Sequence, residues 1–192
     1  MKKILIGTHN RGKFKEISYL ISRKFRKISP LILKIPSPEE TGKTFQQNAK
    51  LKVNFFSKFV NYPVISDDSG LCIKSLNNKP GIYSARLAKQ HGSFNKGMKY
   101  ILKKMKNKKD RSAVFVCCLS YKKPKKKPIT VIGKINGKIS NQIIGTKGFG
   151  YDPIFLPKNS NITFGQMPKS KKMLIDHRFI AFKKLKKKIK IL

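Results

Sequence analysis

Acidic residues are scarce in this chain of 192 residues, where eight Asp and Glu face 45 Lys and Arg and the formal net charge is +37. Seven of the eight lie in or beside short clusters, and only Asp110 stands apart. The clustered acids are Glu16, Glu39, Glu40, Asp67, Asp68, Asp152 and Asp176. Because adjacent carboxylates repel each other, such pairs indicate a bound cation or a proton-transfer step. The sequence therefore predicts a Mg²⁺ site, with lysines suited to a phosphorylated substrate.

Tryptophan is absent and arginine is rare, with Lys supplying 39 of the basic residues and Arg six. Arg is the better residue for bidentate contacts with phosphates and base edges. The positive charge therefore indicates a compositionally biased, solvated surface rather than a nucleic-acid footprint, and we expect no specific nucleic-acid partner. The alternative, a basic nucleic-acid-binding protein, leaves the paired acids without a role.

Cysteine is also scarce, and no apolar run approaches the length of a membrane span. Cys72, Cys117 and Cys118 lie in apolar runs without metal-ligand spacing, which predicts buried free thiols in a reducing compartment. The apolar stretch near Met1 is too short for a signal peptide. We expect a cytoplasmic protein with no membrane partner. A hydrophobic content of 39% with 13 Phe suits one folded domain covering residues 1–192.

Apolar periodicity predicts that strands and helices alternate along the chain. The predicted strands are 4–7, 64–66, 71–73, 113–121 and 129–139. The predicted helices are one with apolar residues between 14 and 21, then 44–60, 94–105 and 173–191. This alternation favours an α/β fold.

The loop at residues 7–13, GTHNRGK, follows the first strand and precedes the first helix. It matches the G-x-x-x-x-G-K pattern of a P-loop. However, Phe14 stands where a P-loop requires Ser or Thr for Mg²⁺. Backbone N–H groups at the helix start, with Lys13, still predict an anion cradle. The alternative is a simple turn in which Asn10 or Thr8 caps the helix.

The segment at 66–70, SDDSG, ends a buried strand, where α/β folds present ligand-binding groups. If the strand continues, Asp67 and Asp68 point to opposite faces, so one can meet a metal or water while the other braces the segment. The alternative is an Asx-turn closing the strand, with Gly70 at positive φ.

Three further clusters carry candidate chemistry. Glu39 and Glu40 precede the second helix, where the helix dipole alone would favour acids. The segment GFGYD at 148–152 combines flexible glycines with two aromatics and suits base stacking or hydrophobic packing. Lys172, His177 and Arg178 bring hydrogen-bond donors to the last helix, although a lone His is more often structural.

In their order along the chain, these motifs resemble the inosine/xanthosine triphosphate pyrophosphatase family, which hydrolyses non-standard purine nucleoside triphosphates. The matching segments are T-x-N-x-x-K-x-x-E at 8–16, EETG at 39–42, SDDSGL at 66–71, PGIYSAR at 80–86, GFGYDPIF at 148–155 and HR at 177–178. The resemblance covers residues 4 to about 185. It implies an elongated mixed β-sheet with flanking helices, two lobes around a central substrate cleft, and a homodimer.

The resemblance also implies roles for individual residues. The residues that would hold the triphosphate are Thr8, His9, Asn10, Arg11, Gly12, Lys13 and Lys52. Glu39 and Asp68 would bind Mg²⁺, with Asp68 also the base for the attacking water, and Ser69 would touch the substrate. The residues that would contact the base or sugar are Phe149, Gly150, Tyr151, Asp152, Lys172, His177 and Arg178. The products would be a nucleoside monophosphate and pyrophosphate.

The chain departs from the family pattern before His177, where the usual acidic segment with Ser is replaced by a Lys-rich one ending in Asp176. Lys171 is therefore as plausible a donor as Lys172. The choice between Glu39 and Glu40 as metal ligand is also open. A second enzyme hypothesis is a phosphate-releasing NTPase or kinase built on the P-loop-like segment, against which Phe14 argues.

Overall fold

A computed structural model describes residues 1–189, in which seven strands form one mixed sheet. The strands are β1 (Lys2–Gly7), β2 (Phe25–Ile28), β3 (Val64–Ile73), β4 (Lys79–Pro80), β5 (Ser112–Lys122), β6 (Ile129–Ile139) and β7 (Phe155–Pro157). Their order is β2-β1-β3-β5-β6-β7, and β4 pairs with β3. β1 runs parallel to β2 and β3, whereas the pairs β3–β4 and β6–β7 are antiparallel.

Helices flank the strands, which confirms the predicted α/β class. Within residues 1–189 the α-helices are α1 (Arg11–Leu20), α2 (Phe45–Phe56), α3 (Ser84–Gln90), α4 (Phe94–Met105), α5 (Lys169–Lys172) and α6 (His177–Lys188). The side chains of Asn10, Thr44 and Ser93 accept hydrogen bonds from the third helical N–H of α1, α2 and α4. These caps satisfy donors that a helix start leaves without an intrahelical partner.

The described residues divide into two compact units, each built from separate chain segments. Unit 1 contains Met1–Asp68, Cys117–Gly133 and 178–189, and its largest core cluster includes Ile4, Ile65 and Leu185. Unit 2 contains Ser69–Val116 and Lys134–His177, and its core includes Ile73, Phe155 and Phe164. Both β3 and β5 contribute residues to each unit.

One correction concerns the segment at 66–70. The predicted interruption of the strand is wrong, because β3 continues through it from Val64 to Ile73. The alternative of an Asx-turn with Gly70 at positive φ is not what the structure has, since Gly70 is absent from the described residues with positive φ. A Cβ at Gly70 would lie 2.1 Å from the carbonyl oxygen of Gly81, so close packing explains the glycine. The paired acids therefore lie inside a strand.

The other corrections concern helix ends. α2 ends at Phe56 rather than at 60, because residues 57–59 close in tight turns before Pro63. The last helix was predicted from 173, but 173–176 form turns and α6 begins at His177, leaving Ile175 in part exposed rather than on the helix face. The predicted end at 191 lies outside the described residues.

Most of the acidic side chains are buried. Five of the eight are buried, namely Glu16, Asp67, Asp68, Asp152 and Asp176, whereas Asp110 pairs with exposed Lys74. All three cysteines are free, and Cys117 and Cys118 are buried while Cys72 is partly exposed. Over residues 1–189, helices of sufficient length and apolarity to cross a bilayer are absent.

Candidate active site

The acidic pair on β3 is the centre of the charged site in unit 1. Every residue of β3 from Val64 to Asp68 is buried, so a buried strand carries both carboxylates. Successive side chains on a strand point to opposite faces, and the contacts of the two acids differ accordingly. Asp67 contacts Lys13 and Arg178, whereas Asp68 accepts a hydrogen bond from Asn48.

Asp67 lies in a buried network of two acids and two cations. Its Oδ2 is 3.2 Å from Lys13 Nζ and 3.8 Å from Arg178 Nε, and Arg178 also donates to Glu16 Oε2 at 2.8 Å. Burial alone would raise the pKa of Asp67, but Lys13, Lys52 and Arg178 lower it to about 2. Asp67 is therefore a permanent anion that anchors α1 and α6.

Asp68 has the opposite titration behaviour. Burial raises its pKa to about 6 with help from the nearby Glu40 carboxylate, although Lys13, Lys52 and the Asn48 hydrogen bond act in the other direction. A carboxyl with a pKa near the working pH is suited to take a proton from water. Perturbation by burial together with specific charges is typical of functional groups.

The loop before α2 brings further charge to Asp68. Glu40 Oε1 accepts from Lys52 Nζ at 2.9 Å, and its side chain is 28% exposed, whereas Glu39 is exposed. Burial would lower the pKa of Lys52, but Asp67, Glu40 and Asp68 raise it, so the ammonium stays charged. Of the two neighbouring glutamates, Glu40 is the one that contacts Lys52 and acts on Asp68.

The carboxylates of this loop and Asp68 are of the chemical type that binds a divalent cation. Carboxylate oxygens are the hard ligands that Mg²⁺ prefers, and Mg²⁺ commonly binds through one or two carboxylates plus substrate phosphates. Across residues 1–189, the structure contains no group of three or more His, Cys, Asp or Glu side chains placed to hold a metal. Asp68 with one glutamate is a donor set that still requires phosphate or water oxygens.

The start of α1 forms the other end of the charged site. Thr8 is buried and its Oγ1 accepts from the N–H of Asn10, whose own Oδ1 accepts from the N–H of Lys13. His9 donates through Nε2 to the carbonyl of Ile35 at 2.9 Å, because a carbonyl can only accept. Arg11 is exposed at the first helical position. Of the two caps that the alternative of a simple turn allowed, Asn10 rather than Thr8 caps α1. A helix N-terminus with Lys13 beside it also favours an anion.

In unit 2, Asp152 organises the glycine-rich loop. Its Oδ2 accepts from the N–H of Phe149 at 2.8 Å and from Lys172 Nζ at 2.6 Å. The ammonium of Lys172 lies 5.1 Å from the Phe149 ring centroid, within the range of a cation–π contact. Gly148 has φ +75°, and a Cβ there would meet the Asp152 carboxylate. Lys172 is buried and Lys171 is exposed, so Lys172 is the lysine that belongs to this loop.

Two other predicted base contacts in unit 2 are buried among aromatic rings. His177 stacks on Phe115 with ring centroids 4.8 Å apart and an interplanar angle of 10°. Tyr151 donates its hydroxyl to the carbonyl of Ser84 at 2.9 Å and packs edge-on against Phe94. Burial raises the pKa of Tyr151, so its hydroxyl remains a neutral donor.

A family model described as the Ham1 family matches residues 4–188. The chain belongs to the Ham1 family. A dITP/XTP pyrophosphatase of Oceanobacillus iheyensis is 42% identical over 192 residues, covering 97% of this chain and 98% of the relative. A dITP/XTP pyrophosphatase of Bacillus subtilis is 39% identical over 191 residues, covering 97% and 96%.

Solved Ham1 structures share the fold. The Ham1 protein of Staphylococcus aureus superposes with a TM-score of 0.87 at 36% identity and covers 98% of both chains. A HAM1 protein from Coxiella burnetii has a TM-score of 0.88 at 30% identity and covers 99% of both chains. The mixed sheet with flanking helices is therefore the Ham1 architecture.

Within this Ham1 chain, the structure brings together two sets of predicted residues. Unit 1 joins Lys13, Lys52, Asp68 and Arg178, and unit 2 joins Phe149, Asp152 and Lys172. Arg178, which was expected to contact the base, contacts Glu16 and Asp67 in unit 1. Ser69 follows Asp68 directly and is partly exposed.

Sequence reasoning missed Asn48, which is buried and bonded to Asp68. A signal for it exists in the sequence, because Asn48 stands on the apolar face of α2, four residues before Lys52. A polar residue on a buried helix face requires a partner. The identity of that partner, however, depends on the packing of α2 against β3.

Proposed function

We propose that this chain hydrolyses non-standard purine nucleoside triphosphates, namely ITP, dITP and XTP, to the nucleoside monophosphate and pyrophosphate. The observation that carries the proposal is the arrangement of the two acids on β3, where Asp67 contacts Lys13 and Arg178 while Asp68 accepts a hydrogen bond from Asn48. Relatives named dITP/XTP pyrophosphatase, similar over nearly their whole length, support the same reaction. The whole chain, 1–192, acts as a single catalytic domain.

The phosphates bind at the start of α1 and at the lysines beside it. The N–H groups of the first turn, preceded by Thr8 and Asn10, donate to phosphate oxygens, as helix N-termini do for anions. Lys13 and Lys52 supply positive charge, and their contacts with Asp67 and Glu40 hold both ammonium groups in place. His9, Arg11 and Gly12 complete the segment. Attack at phosphorus requires this neutralisation of charge.

Asp68 accepts the proton of the attacking water. Its raised pKa makes it a base of suitable strength near neutral pH, and the hydrogen bond from Asn48 orients the carboxylate. Mg²⁺, held by Asp68 and by Glu39 or Glu40, would neutralise charge on the triphosphate. Glu39 is the ligand expected from the resemblance, while the ion pair with Lys52 and the influence on Asp68 favour Glu40.

The base and sugar are recognised by the loop at 148–152, together with Ser69, Lys172, His177 and Arg178. Phe149 offers a ring for stacking, and Asp152 fixes both the loop backbone and Lys172. Donors such as Lys172 and His177 distinguish a 6-oxo purine from adenine, because adenine presents an amino group where the oxo group accepts. Gly150 and Tyr151 support the loop.

The test is product analysis with purified protein and Mg²⁺ on ITP, dITP, XTP, GTP and ATP. The proposal predicts monophosphate and pyrophosphate, formed fast from ITP, dITP or XTP and slowly from GTP and ATP. Diphosphate and phosphate would instead support the P-loop-like alternative. That alternative is disfavoured because Phe14 packs against the core of unit 1.

A homodimer in the cytoplasm completes the proposal. The resemblance implies the dimer, and unit 2 exposes Tyr83 and Tyr100 around a groove of about 600 Å³ that also includes Leu87. Exposed aromatic side chains grouped in this way favour protein contact. Three free thiols suit a reducing compartment. Analytical ultracentrifugation tests the assembly, and Tyr83→Glu should shift a dimer toward monomer if this face forms it.

A further inference from the structure

Asn48 is a buried amide that joins two parts of the candidate cation site. Its side chain is fully buried on α2. Its Oδ1 accepts a hydrogen bond from the N–H of Gly42 at 2.8 Å, and its Nδ2 donates to Asp68 Oδ2 at 3.1 Å. One side chain therefore links the loop that carries Glu39 and Glu40 to the carboxylate on β3.

The chemistry of these two bonds requires an amide. A backbone N–H can only donate and an ionised carboxylate can only accept, so the side chain between them must accept at one end and donate at the other. The same requirement fixes which end of Asn48 carries the oxygen. Asp at this position would keep the bond to Gly42 but place a second carboxylate against Asp68.

Helix α2 contacts the Glu39–Glu40 loop through two side chains. Asn48 and Lys52 are four residues apart and therefore lie on one face of α2. Asn48 binds the loop backbone at Gly42, and Lys52 binds the side chain of Glu40 at 2.9 Å. A Cβ at Gly42 would lie 2.5 Å from Asn48 Oδ1 and 2.9 Å from its backbone nitrogen. The close approach of the loop to Asn48 thus needs the glycine.

We propose that Asn48 is a positioning residue for the divalent cation. Its two hydrogen bonds set the distance between the Glu39–Glu40 loop and Asp68. The inference rests on the proposed function, because the cation matters there as a partner of the triphosphate. Residues that orient metal ligands commonly change metal affinity by about 10- to 100-fold when mutated. A cation held by only two protein carboxylates depends strongly on their separation.

The test compares Asn48→Ala and Gly42→Ala with Gln47→Ala. Gln47 is the matched control, since its Oε1 accepts from the N–H of Lys43 at 2.7 Å in the same loop and its side chain is exposed. Mn²⁺ binding is measured by calorimetry on nucleotide-free protein, and the Mg²⁺ dependence of ITP hydrolysis is measured in parallel. Circular dichroism establishes that each variant is folded.

We expect both Asn48→Ala and Gly42→Ala to weaken Mn²⁺ binding by about 10- to 100-fold and Gln47→Ala by less than about threefold. The half-saturating Mg²⁺ concentration for ITP hydrolysis should rise in Asn48→Ala and Gly42→Ala but little in Gln47→Ala. At saturating Mg²⁺, kcat should be largely restored. A merely structural role would lower kcat at every Mg²⁺ concentration.

Unchanged Mn²⁺ affinity in folded Asn48→Ala, or failure of the wild-type protein to bind Mn²⁺ at millimolar concentration, overturns the inference. Failure of the proposed function would give a different result. A wild-type protein that binds Mn²⁺ but releases no pyrophosphate from ITP would contradict the proposed activity, but not the role of Asn48 in cation binding. Gly42→Ala keeps the inference testable if Asn48→Ala does not fold, since Gly42 lies in a loop outside α2.

Discussion

Asp67 and Asp68 are neighbours on one strand, yet the pKa of the first is lowered to about 2 and that of the second is raised to about 6. Both carboxylates are buried, so burial alone does not separate them. At Asp67 the cations Lys13, Lys52 and Arg178 outweigh the effect of burial on the pKa. At Asp68 burial and the negative field of Glu40 outweigh the cations and the hydrogen bond from Asn48. Neighbouring titratable groups whose pKa values are separated in this way by their environments indicate distinct chemical roles.

Asp68→Asn should stabilise the metal-free protein at pH 8. The folded-state pKa of Asp68 lies above its unfolded value of about 3.9, so the ionised group opposes folding at high pH. This destabilisation of the folded state decreases as pH falls through about 6, and it is absent at about pH 3.9, the pKa of Asp68 in the unfolded chain. We expect the free energy of unfolding in urea to rise by about 2 kcal/mol at pH 8, and the gain to vanish near pH 4.

Asp110→Asn is the control for that experiment, because Asp110 is a surface acid paired with exposed Lys74. It should change the free energy of unfolding little at either pH. If Asp68→Asn were as stable as the wild type at pH 8 in the presence of EDTA, the raised pKa would be contradicted.

Asp67→Asn should have the opposite effect on stability. It removes the anion shared by the partly buried Lys13 and the buried Arg178, and breaking such an ion-pair network typically costs about 3 kcal/mol. The folded-state pKa of Asp67 lies below the unfolded value, so its stabilising contribution is complete above about pH 4 and is lost as pH falls toward 2. Unfolding in urea at pH 7, 5 and 3 checks this. The difference in the free energy of unfolding between the wild type and Asp67→Asn should be the same at pH 7 and pH 5 and smaller at pH 3. A difference that grows toward pH 3 would count against the network.

The pH profile of hydrolysis should show an acidic limb caused by Asp68. The group must be ionised to accept a proton, so kcat/KM should fall as pH drops below about 6 at low Mg²⁺. A cation near the carboxylate favours its ionised form, and the limb should therefore move to lower pH as Mg²⁺ increases. Profiles at two Mg²⁺ concentrations check the shift. A limb that is independent of Mg²⁺ would mean that the cation does not contact Asp68.

Lys171 and Lys172 form a matched pair for the base-recognition loop. Lys172→Met removes the buried partner of Asp152 and should reduce the ratio of kcat/KM for ITP over ATP by at least about tenfold. It should also cost about 3 kcal/mol of stability, because the buried carboxylate of Asp152 loses its cationic partner. Lys171 is exposed, so Lys171→Met should leave both quantities unchanged.

The double variant Lys172→Met with Asp152→Asn separates the two effects. Removing both charges should recover most of the stability, because no buried charge is left without its partner. The loss of selectivity should remain. Recovery of selectivity together with stability would give Lys172 a structural role only.

The sequence predicted those parts of the fold that have strong apolar periodicity. α4 begins and ends where expected, and β5 and β6 match their predicted ranges to within one residue. α3 was missed because only two of its seven residues, Ser84 and Ala88, are buried. β2 was missed because its sequence, FRKI, is half basic and its strand form depends on parallel pairing with β1.

The candidate site was predictable in its charges but not in its contacts. Scarcity of acids pointed to Asp67 and Asp68, and five acids are indeed buried. Three contacts arise only from packing: Asn48 with Asp68, Glu40 with Lys52, and Arg178 with Glu16. Each joins residues at least 12 positions apart, and local patterns carry no information at that separation.

The most direct test follows ITP hydrolysis by phosphorus NMR in the wild-type protein, Asp68→Asn and Asp110→Asn, with Mg²⁺ present. We expect the wild type and Asp110→Asn to produce inosine monophosphate and pyrophosphate at similar rates. Asp68→Asn should be slower by about 10³-fold while remaining folded. Inosine diphosphate and phosphate as products, or undiminished pyrophosphate release by Asp68→Asn, would contradict the account.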